Sequence, residues 1–298
     1  SKKARKVDGL KKISYSQYSM WAQCPHRWKT AYIDGHREFT ESIHTLFGTS
    51  MHEVIQTFLH VMYTETAKKA EALDLDDLLR IRMKKNFESA LEQNGGEMFC
   101  TEKEMVEFYV HGTEILNFLK KKRGQYFSKK GYELLGIEVK LDYDLPNNIK
   151  FIGYLDVVIK DNVRNVIKIY DIKTSTMGWN KWQKADKNKT DQLLLYKQFY
   201  AKQYNHPIDK IEVEYFIVKR KLYENLDFPQ KRVQKFVPAN GKPSINKVVA
   251  RLDNFLKECF TSEGEYNVEH TYSKEASKKN CRFCDFNQTE LCDAGVKA

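Results

Sequence analysis

Apolar positions recur at helical spacing through the first part of the chain and at strand spacing after it. Ser14 or Ser16 is placed to cap a helix over Gln17 to Ile33. Cys24-Pro25 interrupts that helix, because a proline ring removes a backbone donor and crowds the preceding turn. Val54, Ile55, Phe58, Leu59 and Met62 mark one face of a second amphipathic helix, starting near Thr49 and Ser50. Residues 68–94 and 102–122 read as two more helices. The second ends in Lys120-Lys121-Lys122-Arg123-Gly124, cations where the helix dipole is negative.

The texture then changes. Leu134 to Leu145 is strand-like, and Pro146-Asn147-Asn148 is a turn. Ile149 to Lys160 and Val166 to Thr174 are two further strands around the turn Asp161 to Asn165. Lys187 to Tyr204 reads as a helix, Ile208 to Lys219 as a strand, and Ser244 opens a helix to about Phe260. This order predicts a single α/β domain over 1–298, a central mixed β-sheet flanked by helices, with 65–130 as a helical insertion and 261–298 as a cysteine-rich tail.

Composition narrows the class. Of 298 residues, 41% are hydrophobic, enough for a core, while 14 Gly and 6 Pro leave little for a flexible linker. No apolar run is long enough to span a membrane, and the basic Ser1 to Lys6 stretch lacks the apolar segment of a secretory signal. Six cysteines in such a chain point to an intracellular protein whose thiols are reduced or metal-bound. A net charge of +10 favours a polyanionic partner.

The chemistry concentrates in one hairpin. Gly153-Tyr154-Leu155-Asp156-Val157 and Ile169-Tyr170-Asp171-Ile172-Lys173-Thr174 each carry an acid inside an apolar run, which is costly in a buried strand. If Asp161 pairs with Val166, Asp156 falls opposite Asp171. Like charges so placed repel unless a cation lies between them, and an oxygen-ligated divalent ion such as Mg²⁺ fits that need. Asp171 and Lys173 project from the same face, which sets a positive charge beside the ion. Glu138 on the preceding strand is a candidate third acid.

These residues, followed by a helix carrying Gln192-Leu193-Leu194-Leu195-Tyr196, resemble the PD-(D/E)XK nuclease superfamily, and within it the RecB-type branch that includes CRISPR-associated and helicase-linked exonucleases. Gly48-Thr49-Ser50-Met51-His52 looks like that branch's metal-binding histidine motif, and Ser14-Tyr15-Ser16 through Cys24-Pro25 like its opening motif. The resemblance runs from about residue 14 to 292, outside the insertion. It implies a Mg²⁺- or Mn²⁺-dependent DNA nuclease, with exonuclease action expected on family grounds. Asp156, Asp171, the Ile172 carbonyl and His52 would hold one or two ions, and Lys173 would orient or activate the attacking water. Gln192 and Tyr196, one turn apart on one face, would position the lysine, the metal shell or DNA.

Cys281-Arg282-Phe283-Cys284 and Cys292 supply three thiols, one short of a closed four-ligand site. Relatives with such a tail take their fourth from an N-terminal Cys-Pro, which matches Cys24, and the set holds an iron–sulfur cluster; zinc is the competing occupant. Cys100 and Cys259 read as ordinary thiols. Trp179, Lys181, Trp182 and Lys184, just after the acidic hairpin, form a basic stretch with interleaved aromatics that suits single-stranded DNA, or else packs as core under a solvated lysine face. Two further basic stretches, Lys120–Arg123 with Lys129-Lys130 and Lys219–Lys221 with Lys231-Arg232, are also candidates. No phosphate-binding loop of a motor occurs, so a helicase would be a separate partner. The rival readings are a catalytically silent DNA-binding subunit, an RNA-directed nuclease and a structural zinc protein.

Overall fold

The computed structural model describes residues 10–36 and 41–296; Ser1 to Lys6 lies outside them. A short strand β1 (Lys11–Ile13) leads into α1 (Tyr15–Gln23) and α2 (Pro25–Tyr32), and the Ser14 side chain caps α1. The expected break falls at Cys24, with Pro25 opening α2, where its missing N–H costs nothing. Next come α3 (Ile43–Thr64), α4 (Ala67–Glu71), α5 (Leu75–Gln93) and α6 (Glu102–Tyr126). The α3 helix begins well before Thr49, because Ser42 and Thr45 form a reciprocal cap. The single helix expected over 68–94 is two, since Asp74 caps a new start.

The second half contains β2 (Tyr132–Leu145), β3 (Ile149–Asp161), β4 (Val166–Ser175), α7 (Lys181–Ala185), α8 (Lys187–Gln203), β5 (Ile211–Lys219), β6 (Val233–Phe236), α9 (Lys242–Cys259) and α10 (Lys278–Cys281). The six strands form one mixed sheet in the order β1-β3-β4-β5-β6, with β2 along β3. Helices cover both faces. One core packs α1, α8 and α9 on Leu155, Val158, Ile169 and Tyr215; the other packs α3, α5 and α6 on Val157, Tyr170, Ile172 and Phe216. The fold is thus the α/β architecture expected, and α4–α6 share a continuous core with the sheet. No described helix is long and apolar enough to cross a membrane.

Two features of the sheet matter for chemistry. Because β2 pairs with β3 from end to end, β1 and β4 must share the other edge of β3. β1 occupies residues 149–151 of that edge and β4 occupies 157–161, which leaves a fork between them. In addition, Leu155 faces the α8 core while Val157 and Ile159 face the α3 core, so the strand alternation slips at Asp156. Across from it, Glu138 takes a left-handed backbone with φ 49°, a conformation that costs a glutamate about 1–3 kcal/mol.

Candidate active site

The hairpin register is the expected one, Asp161 with Val166 through Val157 with Tyr170. The ladder ends there, one residue short of Asp156 and Asp171. The two acids therefore stand at the mouth of the fork instead of on a rung. Asp156 Oδ2 accepts a hydrogen bond from the Ile172 amide at 2.6 Å, so a side chain replaces the backbone acceptor that the splayed strands no longer provide.

On the α8 side of β4, Asp171 is 4% exposed. Lys173 Nζ lies 2.9 Å from Asp171 Oδ1 as an ion pair, but the alignment makes no hydrogen bond, and that oxygen is buried without one. Lys173 instead donates to Gln192 Oε1 at 2.8 Å, and Gln192 Nε2 donates to the Tyr196 hydroxyl at 3.1 Å. Tyr196 can come this close because residue 153 is glycine: a Cβ there would sit 2.8 Å from the tyrosine ring. Burial raises the Asp171 carboxyl, with Lys173 opposing and Asp156 adding to the rise. Burial pulls the Lys173 ammonium down, but the charges of Asp171 and Asp156 outweigh it and the net direction is up. Lys173 therefore remains a cation at neutral pH, which suits it to orient water or phosphate and not to abstract a proton.

On the other side, α3 brings up His52. Its Nδ1 donates to the Gly48 carbonyl at 2.6 Å, and its Nε2 lies 3.2 Å from Asp156 Oδ2. Burial alone would lower the imidazole, yet the bond and charge of Asp156, the Gly48 carbonyl and Asp171 push it up to about 9. One turn along α3, Gln56 Nε2 donates to Glu138 Oε1 at 2.7 Å and to the Asp156 carbonyl at 3.1 Å. Gln56 is buried and went unnoticed in sequence. Its signal was a polar residue four positions after His52, on the same face of α3.

Asp156, Asp171, Lys173, Gln192, Tyr196, His52, Glu138 and Ile172 thus meet at the fork. Two clefts of about 700 Å³ each open beside it, both reaching Lys173 and Thr174: one passes His52, Gln56 and Glu138, the other passes Tyr15, Arg27, Lys189 and Gln192. Among the described residues, no three His, Cys, Asp or Glu side chains form a ready metal cage, neither at the fork, where His52 closes on Asp156 and Gln56 holds Glu138, nor among the cysteines. The buried Asp171 carboxylate, met at 2.9 Å by the Lys173 ammonium and set beside a second carboxylate, is nevertheless the environment that a hard cation satisfies.

The aromatic stretch after β4 divides. Trp179 is 6% exposed and packs on Tyr215 at 4.9 Å between centroids, so the stacking on DNA anticipated for it is corrected: its ring is committed to the core. Trp182 is 72% exposed, with Lys181 over its ring, while Lys184 lies over Phe236. In the run that closes α6 and follows it, Lys120 and Lys129 donate to the Leu73 and Glu65 carbonyls and Arg123 pairs with Glu71, so these cations tie helices together.

Cys24, Cys281, Cys284 and Cys292 line one small pocket where α2 meets the tail. Burial raises the Cys284 thiol, as do Cys24 and Cys292 nearby. All six cysteines are free, and Cys100 and Cys259 are buried elsewhere. The tail docks on α2 by bonds of its own: Arg27 donates to the Phe283 carbonyl, Asn280 to the Gln23 carbonyl, and the Glu275 amide to Cys24 Sγ.

A family model described as the PD-(D/E)XK nuclease superfamily matches residues 12–292. No curated protein matches the chain. Among solved structures, a chain described as "Putative exonuclease" from Eubacterium rectale superposes with a TM-score of 0.51, is 15% identical, and covers 92% of this chain and 86% of its own. At that identity the likeness is one of fold.

Proposed function

We propose, from the premise that the chain belongs to the PD-(D/E)XK nuclease superfamily, that it is a divalent-metal-dependent DNA exonuclease acting on single-stranded or end-containing DNA. The observation that carries this reading is the fork itself, where two acids, a lysine cation and a glutamine–tyrosine relay converge on one strand end. In this reading Asp156, Asp171 and the Ile172 carbonyl hold Mg²⁺ or Mn²⁺, with His52 and Glu138 completing the set. A bound divalent cation supplies polarisation of the phosphoryl oxygen and a lowered pKa for the attacking water.

The chain's own residues do the rest. Lys173 keeps its charge against the phosphate oxygens or the nucleophilic water, and Gln192, steadied by Tyr196, fixes the direction of its ammonium. Gln56 ties Glu138 to the backbone of Asp156, so the two strands present their acids together. Exonuclease action is favoured by the resemblance to RecB-type enzymes and by the description of the structural neighbour. Recombination, repair or phage DNA processing beside a separate helicase is the setting that resemblance implies. An iron–sulfur cluster on Cys24, Cys281, Cys284 and Cys292 is the occupant the resemblance implies, supported by their lining one pocket although as placed they form no ready cage; visible absorbance distinguishes it from zinc.

The test uses end-labelled linear and closed circular single-stranded DNA with Mg²⁺, Mn²⁺ or EDTA, with Asp171→Ala alongside. Loss of the linear substrate alone, dependent on metal and absent in the variant, is the expected result. Cutting of the circle would make the enzyme an endonuclease on the same site. No cutting by folded wild-type protein would shift the reading to a silent DNA-binding subunit, and preferential loss of a matched RNA would shift it to RNA.

A further inference from the structure

Beyond the fork, the same sheet end carries an aromatic tip with no part in the chemistry above. β5 runs parallel to β4, and its last residue, Lys219, pairs with Ser175, two residues past Lys173. The loop that follows, residues 220–232, therefore starts at the reactive end of the sheet. Its root is fixed: Arg220 N donates to the Ser175 carbonyl, Lys221 N to the Thr176 carbonyl, and Lys219 N to the Arg232 carbonyl. Gln230 then clamps Tyr223 from both directions, accepting from its amide and donating to its carbonyl. Held on this base, Tyr223 is 61% exposed and Phe228 63% exposed, with Leu226 exposed between them. Four residues of extended chain reach at most about 14 Å, so Tyr223 stays within that distance of the end of β5.

Large rings held open to solvent on a braced loop lose hydrophobic stabilisation unless something covers them. The surrounding charge indicates what does. Lys219 and Lys231 sit at the root, where phosphates are attracted, next to Lys221, which pairs with Glu107 at 3.4 Å; Glu224 and Asp227 at the tip repel phosphates and leave the rings to uncharged surfaces. Cations below and bare rings above match a strand whose backbone runs along the root and whose bases turn outward.

We propose that Tyr223 and Phe228 stack on unpaired bases of the nucleic-acid strand entering the fork, so that this loop selects single-stranded or frayed ends. This rests on the nuclease reading. The test compares the full chain with its Tyr223→Ala/Phe228→Ala variant, both carrying Asp171→Asn so that nothing is cut. Binding is measured by fluorescence anisotropy on a single strand, a duplex with a single-stranded extension, and a blunt duplex. At about 1–3 kcal/mol per stacked base, each ring removed weakens single-strand binding roughly 5- to 160-fold. Blunt-duplex binding should change little, and Tyr223→Phe/Phe228→Tyr should restore the loss.

Equal affinity of variant and parent for the single strand would overturn the inference and leave the tip to a protein partner's apolar surface. Equal losses on all three substrates would overturn it too, by removing the preference for unpaired bases. Hydrolysis of bis(p-nitrophenyl) phosphate by the same pair with Asp171 intact separates the two readings. Metal-dependent hydrolysis, unchanged by the loop substitutions, keeps the nuclease whatever the binding shows; no hydrolysis and no DNA cutting in the parent removes the nuclease reading itself.

Discussion

Gly153 shows how a residue without a side chain sets the geometry of charged neighbours. An added Cβ would press on the Tyr196 ring at 2.8 Å and on Phe151 at 3.3 Å, and both rings are buried, so neither swings away cheaply. Displacing Tyr196 loosens Gln192, and Gln192 fixes the Lys173 ammonium. Gly153→Ala should therefore cost about 1–3 kcal/mol of stability as an overpacked core. It should also lower kcat by about 10²-fold through misplacement alone, with every charged group still present. Tyr196→Phe keeps the ring and loses only the hydroxyl, so its kcat should fall less. Steady-state kinetics and thermal melts on the two variants check this order; full kcat in Gly153→Ala would show that the relay is not needed. The sequence made the glycine visible as part of a motif, but not its purpose, because the approach of Tyr196 from α8 is a tertiary contact.

At the level of elements, the β3–β4 hairpin delivers Asp156 and Asp171 to one place, and its turn holds the register. Asp161 accepts from the Val163 and Arg164 amides at 3.1 Å each and from Arg164 Nε at 2.8 Å, while Arg164 forks onto Glu212 of β5. Asp161→Ala removes the acceptor of all three bonds and should lower the midpoint of denaturant melts. Bonds from the Arg164 amide, ahead of the opposing effect of burial, keep the Asp161 carboxyl below its usual range. A depressed folded pKa means a contribution present above the unfolded value of 3.8 and lost as pH falls through the folded one. The gap between wild type and Asp161→Ala should accordingly narrow in melts below pH 4, and a constant gap would count against the turn. Alternating apolar residues and a polar four-residue turn made this hairpin readable to within a residue. What the pattern did not reveal was the fork. It depends on β1, three residues long, sharing the edge of β3 with β4, and on the slip at Asp156 beside left-handed Glu138. Neither leaves a periodic signal. β6 and α7 escaped for the same reason, being too short to show a period.

For the whole molecule, the cysteine-rich tail meets the junction of α1 and α2, and the bonds there do not require a metal. The Arg27, Asn280 and Glu275 contacts, with His26 N donating to the Ser273 carbonyl, hold the tail in place by themselves. A cluster on Cys24, Cys281, Cys284 and Cys292 would add a covalent closure across nearly the entire chain. Restricting so long a loop in the unfolded ensemble is worth about 5.5 kcal/mol at most by chain entropy. Strain in the native site lowers what is realised below that ceiling. In a chain carrying the proposed cluster, Cys281→Ser should lose it and lower Tm by up to about 9 °C, with the sheet still folded. Metal analysis, visible absorbance and a melt monitored by far-UV circular dichroism read the three quantities on one sample. An unchanged Tm with the metal lost would mean that hydrogen bonds alone close the chain. Complete unfolding would mean that the cluster nucleates the fold; the independent cores on both faces of the sheet argue against that outcome.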